Sequence, residues 1–344
     1  TRGGHDFFWF KLEMPHAAEE RRSLIGPVTL ACTNLEALLQ GEERPLLEEA
    51  LPSFLHARGL VSGAITSARI TETASLRGGD QPLVYVFVRV EYADEEAESF
   101  ALPLQVLPEA PPEAAIVAAV HVQGRDTPEV LVEAATDGAA RALVETAARG
   151  VTFPTSVGRL MGGLLPGEAI DPDALQGARV LSTDRVGASI AYGDSAVLKL
   201  LYRMEEGTAP ELELARVIQP LAKEPSRGSV PGRLDAPPLG ITPRVLGYVE
   251  RRAPRTEPVT LALLQEYVVN EGTAWEQARS ELGRVYERVL ANPTTAAPPS
   301  IPTQSILELS ALDPPPEHQP AIGAYRDWAL LLGRRTADLH LLTS

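Results

Sequence analysis

The stretch Gly-Ala-Ser-Ile-Ala-Tyr-Gly-Asp-Ser-Ala-Val-Leu-Lys-Leu-Leu-Tyr-Arg (residues 187–203) decides the fold. Two runs of strand-forming residues flank Gly193-Asp194, a dipeptide typical of tight turns, so the stretch predicts a β-hairpin. Its second strand carries Lys199 among apolar neighbours. An ammonium group in that position needs a partner, although lysines also occur in many exposed strands.

The helix predicted after this hairpin offers two glutamates as partners. Thr208 and Glu211 have the spacing of a capping box, in which the two residues hydrogen-bond each other across the first helical turn. Glu213 is then left free beside an apolar stripe of Leu214, Val217, Ile218 and Leu221. The spacing therefore predicts an ion pair between Lys199 and Glu213 rather than Glu211.

A strand lysine paired with a helix glutamate positions phosphates in protein-kinase-like folds. Ser182, Thr183, Gly187 and Ser189 precede or begin the hairpin, where hydroxyls and backbone amides could cradle phosphates. The same residues are common in ordinary turns, and the helix dipole alone favours glutamates in a first turn. From spacing alone, an exposed surface pair therefore remains the alternative interpretation.

Four sequence blocks, in order, resemble the bacterial maltokinases. They are Tyr-Gly-Asp-Ser-Ala-Val-Leu-Lys-Leu (192–200), Pro-Glu-Leu-Glu-Leu-Ala-Arg (210–216), Leu-Leu-Gln-Glu-Tyr-Val-Val-Asn-Glu-Gly-Thr-Ala-Trp (263–275) and Leu-Gly-Arg-Arg-Thr-Ala-Asp-Leu-His (332–340). Maltokinases are aminoglycoside-phosphotransferase-like kinases that make maltose 1-phosphate from maltose and ATP. The product feeds the synthesis of α-glucans and glycogen.

The resemblance implies a nucleotide site that uses ATP with Mg²⁺. Lys199 would hold the nucleotide phosphates, with Glu213 orienting it and Ser189 nearby. The backbone of Glu266, Tyr267 and Val268 would receive the adenine. Maltose would be the small-molecule substrate.

The resemblance also implies an α+β fold: a protein-kinase-like N-lobe with an N-terminal α/β cap and the start of a helical C-lobe. The expected boundaries are 16–110 for the cap, 111–268 for the nucleotide-binding lobe and 269–344 for the first part of the C-lobe. Residues 1–15 contain an aromatic strand, Phe7 to Leu12. It resembles the end of a trehalose synthase β-domain, which implies a fused or partner trehalose synthase, or else it joins the sheet of the cap.

The catalytic loop of maltokinases, His-Gly-Asp-x-His-Leu-Gly-Gln, has no match, because none of the six histidines precedes Gly-Asp. We therefore expect the general base and the magnesium-binding acids beyond residue 344, and no catalytic or metal residue within this chain. A chain with these features is expected to be inactive by itself. The alternative is a non-catalytic nucleotide-binding or docking module associated with trehalose synthase.

The composition of the chain argues against two classes of binding partner. A formal net charge of −15 argues against nucleic acids and anionic membranes, which both select for lysine and arginine. Cys32 is the single cysteine, and neither a signal peptide nor a membrane-spanning run is evident, which favours a cytoplasmic protein.

Periodicity predicts the remaining elements, with Pro52 expected to restart a helix. These elements are a hairpin of strands 83–92 and 99–106, strands at 115–122 and 129–133, a helix at 136–149 ended by Gly150, a buried strand at 259–268, a helix capped by Thr273 and Glu276 and ending near 290, and a last helix at 322–342.

Overall fold

The structure is a computed structural model. It describes residues 28–76, 83–110, 115–133, 137–175, 177–223, 242–291, 303–310, 312 and 319–343. The predicted strand Phe7 to Leu12 lies outside these residues. The described residues form two compact units, the first comprising those up to Glu213 with Val245–Glu266, and the second comprising the rest.

Strands and helices are both well represented, which confirms the mixed α+β class. The strands are β1 (Val28–Cys32), β2 (Ile65–Leu76), β3 (Leu83–Tyr92), β4 (Glu98–Leu107), β5 (Ile116–Val122), β6 (Glu129–Glu133), β7 (Thr152–Pro154), β8 (Arg159–Leu164), β9 (Ala178–Thr183), β10 (Gly187–Tyr192), β11 (Ala196–Leu201), β12 (Val245–Arg252) and β13 (Val259–Glu266). The helices are α1 (Leu35–Gln40), α2 (Arg44–Ala57), α3 (Asp137–Arg149), α4 (Pro210–Lys223), α5 (Ala274–Ala291), α6 (Ile306–Ser310) and α7 (Gln319–Thr343).

The first sheet has the strand order β1-β5-β6-β4-β3-β2. Only the β1–β5 pair among its described neighbours is parallel. The predicted boundary at residue 110 would separate β5 and β6 from this sheet, yet both strands are hydrogen-bonded within it. The sheet therefore extends to Glu133, because β6 pairs with the second half of β4.

Helix α2 packs its apolar face against this sheet, burying Leu51, Phe54 and Leu55. Pro52 lies inside the helix, so the predicted restart at this residue is wrong. A proline inside a helix costs about 3 kcal/mol, because its ring clashes with the preceding turn and one backbone hydrogen bond is lost, and the buried side chains on both sides of Pro52 offset this cost. Strand β2 was not predicted at all, although its residues alternate between exposed and buried over its central part.

The second sheet is antiparallel, with the order β7-β8-β12-β13-β11-β10-β9. The hairpin predicted around Gly193 is confirmed as β10 and β11, and Gly193 has a φ of 50° that favours glycine. Strand β11 lies between β10 and β13, in the interior of the sheet. Lys199 is thereby held by neighbouring strands on both sides.

Helix α3 packs directly on β8 of this sheet and ends at Gly150, as predicted. The closest approach is at Gly162, where an added Cβ would lie 2.2 Å from the backbone oxygen of Thr146. Glycine is required at this position by helix-to-strand contact rather than by backbone conformation.

Replacing Gly162 with alanine should therefore destabilise the first unit by about 1–3 kcal/mol, because the helix must move away from β8. The control is Gly283→Ala within α5, where the new Cβ would meet no atom within 4 Å. That change should be neutral or stabilising by up to about 1 kcal/mol through helix propensity. Urea unfolding of both variants measures the two changes in the free energy of unfolding. Equal changes would show that α3 does not pack closely against β8.

The two sheets of the first unit are joined by backbone hydrogen bonds where the chain leaves β11. The Ala101 amide donates to the Tyr202 carbonyl at 2.7 Å, and the Met204 amide donates to the Ser99 carbonyl at 2.8 Å. This extension pairs with the first half of β4, where no β6 partner is present. The position of the Lys199 strand is thus fixed partly by the first sheet.

Two buried carboxylates reinforce this junction. Glu133 accepts hydrogen bonds from the Arg58 guanidinium at 2.7 Å and from the Tyr202 hydroxyl. Burial, followed by the Glu133 carboxylate, raises the pKa of Tyr202 well above its ordinary value, so Tyr202 remains a donor. Glu72 similarly accepts from Arg251 at 2.6 Å and from the Thr155 hydroxyl.

The described residues of the second unit are mainly helical. Helix α5 begins at the predicted capping box, with the Glu276 amide donating to Thr273 Oγ1 at 3.1 Å and the Thr273 amide donating back to the Glu276 carboxylate at 2.7 Å. Two hydrogen bonds from Thr273 lower the pKa of Glu276, and the bond from the Thr273 backbone amide has a larger effect than the bond from its hydroxyl. Within the described ranges, no helix combines the length and apolarity needed to cross a membrane.

Candidate functional site

Lys199 lies on the half-buried face of β11. Its neighbours Leu198 and Leu200 point into the core and are 1% exposed. Because strand side chains alternate, Lys199 lies on the opposite face, directly across from Ser189 on β10. Both residues therefore occupy the same side of the sheet, next to one another.

The partner of Lys199 is Glu211, and the predicted pairing with Glu213 is wrong. Lys199 Nζ lies 2.5 Å from Glu211 Oε1, and the two side chains are 34% and 42% exposed. Glu213 is exposed, and no ion pair with Lys199 is present. The prediction of a strand lysine paired with a glutamate from the next helix is correct, but the glutamate is a different one.

The difference arises because α4 begins one residue later than the capping box requires. The Glu213 amide donates to the Ala209 carbonyl at 3.0 Å, so Ala209 is the N-cap and Pro210 the first helical residue. The Ala209 amide is held by Thr260 Oγ1 at 2.9 Å. Glu211 is consequently the second helical residue instead of the third, and its side chain is available to Lys199. Proline is favoured at the first helical position, which was the missed signal.

The electrostatics of this pair favour a charged Glu211. Burial alone would raise the pKa of its carboxyl, but hydrogen bonds from Lys199 and from its own backbone amide lower it below the ordinary value. The ion pair is therefore complete above the ordinary pKa of glutamate, about 4.3, and is lost as the pH falls through the lowered folded pKa.

Replacing Lys199 with methionine should raise the pKa of the Glu211 carboxyl, because burial then acts against a weaker set of hydrogen bonds. Carboxyl chemical shifts followed by NMR between pH 2 and pH 7 would measure this. A Glu211 titration that is unchanged by the substitution would contradict the observed pairing.

The turn between β9 and β10 is closed by Asp184. Its Oδ1 accepts from the Val186 amide at 2.8 Å and from the Gly187 amide at 3.0 Å. These amides are therefore already occupied, and the expectation that the Gly187 amide could cradle phosphates is wrong. The physical reason is that an aspartate within the turn satisfies them first. Ser189 remains a candidate by position.

A cavity of about 540 Å³ opens beside Lys199. The first sheet and the loop Leu60 to Gly63 form one wall, and the exposed face of β11 with the start of α4 forms another. A volume of this size suits a nucleotide or a disaccharide. Its charged lining residues are Glu95, Glu98, Arg185, Lys199, Arg203, Glu205, Glu206 and Glu211.

Glu98 organises the wall that β4 contributes. Its carboxylate accepts from Tyr92 Oη at 2.7 Å and from the Arg203 guanidinium at 2.8 Å. Arg203 therefore has a carboxylate partner, as Lys199 does. Sequence reasoning missed Glu98, Arg185 and Arg203, since nothing in their spacing connects three separate segments.

The residues expected to receive adenine follow β13. Glu266 ends that strand, and Tyr267 and Val268 continue without regular structure. The Val268 carbonyl accepts from the Asn270 side-chain amide at 2.8 Å. Their role in binding adenine stays a prediction.

A metal site is not formed by the residues that the structure describes. No group of three or more His, Cys, Asp or Glu side chains among them is placed to hold an ion. The described residues thus do not fit the magnesium expected with ATP, and no step below is routed through it.

Comparisons with known proteins give distant structural similarity. No family model matches the chain. A glucosamine kinase in one crystal form aligns with a TM-score of 0.40 at 20% identity, over 75% of this chain and 47% of that chain. A glucosamine kinase in complex with glucosamine, ADP and inorganic phosphate aligns at 0.39 and 19% identity, over 75% of this chain and 46% of that one. A further crystal form gives 0.39 and 18% identity, over 74% and 45%.

The chain thus spans slightly less than half the length of these structures. At such TM-scores the similarity does not assign a reaction. A functional assignment must therefore rest on the residues of this chain and their geometry.

Proposed function

We propose that this chain carries the cap and the nucleotide-binding lobe of an ATP-dependent sugar phosphotransferase of the maltokinase type. The reaction is ATP plus maltose to ADP plus maltose 1-phosphate. The observation that carries the proposal is the 2.5 Å ion pair between Lys199 and Glu211 at the edge of a cavity.

The ion pair supports phosphate binding for geometric reasons. Lys199 is fixed in an interior strand, and Glu211 is fixed by a helix whose N-cap amide, that of Ala209, donates to Thr260 Oγ1. Glu211 holds the ammonium in one orientation, so little side-chain entropy remains to be lost when phosphates bind. A positioned lysine stabilises the charge that develops on a transferring phosphoryl group.

The choice of ATP and maltose rests on the four maltokinase-like sequence blocks. We further propose that Ser189 approaches the phosphates, because it lies across from Lys199. We propose that the backbone of Glu266, Tyr267 and Val268 binds adenine. Glu213 lies on the same turn of α4 as Glu211, and Glu211 takes the role of orienting Lys199 that was expected of Glu213. Trehalose synthase is the proposed partner, because the sequence Phe7 to Leu12 resembles the end of a trehalose synthase β-domain.

A coupled assay for ADP release tests this function. It compares maltose, glucosamine, glucose and no sugar as acceptors, using the 344-residue chain beside a chain extended past Ser344. We expect maltose-dependent turnover from the extended chain and undetectable turnover from the 344 residues, where candidates exist only for holding the phosphates. Comparable turnover from both chains would place the general base within these residues, and ATP binding without turnover in either would favour the non-catalytic alternative.

A further inference from the structure

The tip of the turn between β9 and β10 presents an arginine to the cavity. Arg185 is exposed and lines the same space as Lys199. Among the residues that the structure describes, it has no ion-pair or hydrogen-bond partner. Lys199 and Arg203, the other cations of the cavity, are each paired with a carboxylate.

The turn that carries Arg185 is held in one shape. Asp184 accepts from the Val186 and Gly187 amides, and the Asp184 amide donates to the Gly187 carbonyl at 3.0 Å. The Val186 carbonyl in turn accepts from the Tyr202 amide at 2.9 Å. The Val186 and Gly187 amides are therefore engaged within the turn, and the cationic group that the turn can offer an anion is the Arg185 side chain.

Strand register brings Arg185 close to Lys199. Ser189 is opposite Lys199, and Gly187 is opposite Leu201. Two residues along a strand cover about 6.6 Å, so Gly187 lies about that far along β10 from Ser189, and Arg185 stands in the turn just beyond Gly187. Both side chains are long enough for their charged ends to meet a triphosphate between them.

Arg185 is important for binding an anion because the cavity is lined by more carboxylates than cations. Five carboxylates line it, and three of them, Glu98, Glu205 and Glu211, form ion pairs with Lys199 or Arg203. With a net charge of −15, the chain provides no general attraction for a nucleotide. An anion must be met locally, and a guanidinium offers two parallel hydrogen bonds to phosphate oxygens.

We propose that Arg185 binds the terminal phosphates of a nucleoside polyphosphate, acting together with Lys199. This inference rests on the proposed nucleotide-binding function and adds a second phosphate-binding residue to it. Specificity for triphosphate over monophosphate follows, because a monophosphate is too short to reach both cations.

The test is the binding of ATP and AMP to the 344-residue chain, measured by ligand-observed NMR titration in the presence of Mg²⁺. Arg185→Ala should weaken ATP binding by about tenfold, since one charge-assisted contact is lost. AMP binding should stay within about twofold of the unmodified chain. Arg185→Lys should retain part of the ATP affinity, because the charge remains while the bidentate geometry is lost.

The matched control is Arg179→Ala. Arg179 is an exposed arginine on β9 outside the cavity lining, so its replacement changes the net charge equally. If Arg179→Ala and Arg185→Ala weaken ATP binding equally, the inference is overturned. If only Lys199→Ala weakens ATP binding, the inference about Arg185 is overturned but the proposed function is supported. Failure of the unmodified chain to bind ATP at all would overturn both.

Discussion

Replacing Lys199 with alanine should lower the turnover of a catalytically complete chain by about a thousandfold or more, while the folded structure persists. In the proposed function this ammonium stabilises charge on the transferring phosphoryl group, and one such interaction accounts for factors of this size. The stability cost should stay below about 1 kcal/mol, because Lys199 and Glu211 are both partly exposed.

Two glutamate variants serve as matched controls for this result. Glu211→Gln should lower turnover strongly, since the lysine loses the carboxylate that orients it, whereas Glu213→Gln should leave turnover nearly unchanged. Steady-state kinetics with a melting curve for each variant separates activity from folding. If Glu213→Gln has the larger effect, the observed pairing does not operate during the reaction.

Replacing Glu133 with alanine should have the largest effect on stability, about 3–5 kcal/mol. The carboxylate is 2% exposed and binds both Arg58 and the Tyr202 hydroxyl. Its removal leaves the Arg58 guanidinium, 12% exposed, without its buried counter-charge. Since Tyr202 continues β11 and pairs with β4, the junction between the two sheets should loosen.

Calorimetry or urea unfolding would measure this effect. Glu91→Ala is the control, because Glu91 is exposed and lies 3.8 Å from Arg89 in a surface pair; it should change stability by less than about 1 kcal/mol. Glu133→Gln should lie between the two, since an amide keeps an acceptor but loses the charge. Equal melting of the Glu133→Ala and Glu91→Ala proteins would show that the network does not hold the sheets together.

The sequence was sufficient for elements whose signals are local. The hairpin around Gly193, the end of α3 at Gly150 and the capping box of Thr273 and Glu276 all depend on residues within a few positions of each other. The α+β class, which the resemblance to maltokinases implied, agrees with the strands and helices of the structure.

The errors arose where a distant residue decides the outcome. The start of α4 is set by Thr260, which holds the Ala209 amide from another strand, and this moves Glu211 out of the predicted capping box. The affiliation of β6 with the first sheet depends on its pairing with β4. Neither contact is encoded in local spacing.

The candidate site was only half predictable for the same reason. Lys199 is identified by its position in an apolar strand, which is local. Arg185 and Glu98 reach the cavity only because β9, β10 and β4 converge there. Long-range strand pairing brings these residues together, and a single sequence contains no periodic signal for it.

The scarcity of lysine permits a direct test of the nucleotide site. Lys11, Lys199 and Lys223 are the only lysines in the sequence, so modification of each can be measured separately by mass spectrometry. An ATP analogue carrying a reactive acyl phosphate transfers its acyl group to an amine held beside the terminal phosphate. We predict acylation chiefly at Lys199, suppressed by excess ATP but not by AMP. Acylation distributed equally over the three lysines and insensitive to ATP would contradict the assignment of Lys199 to nucleotide binding.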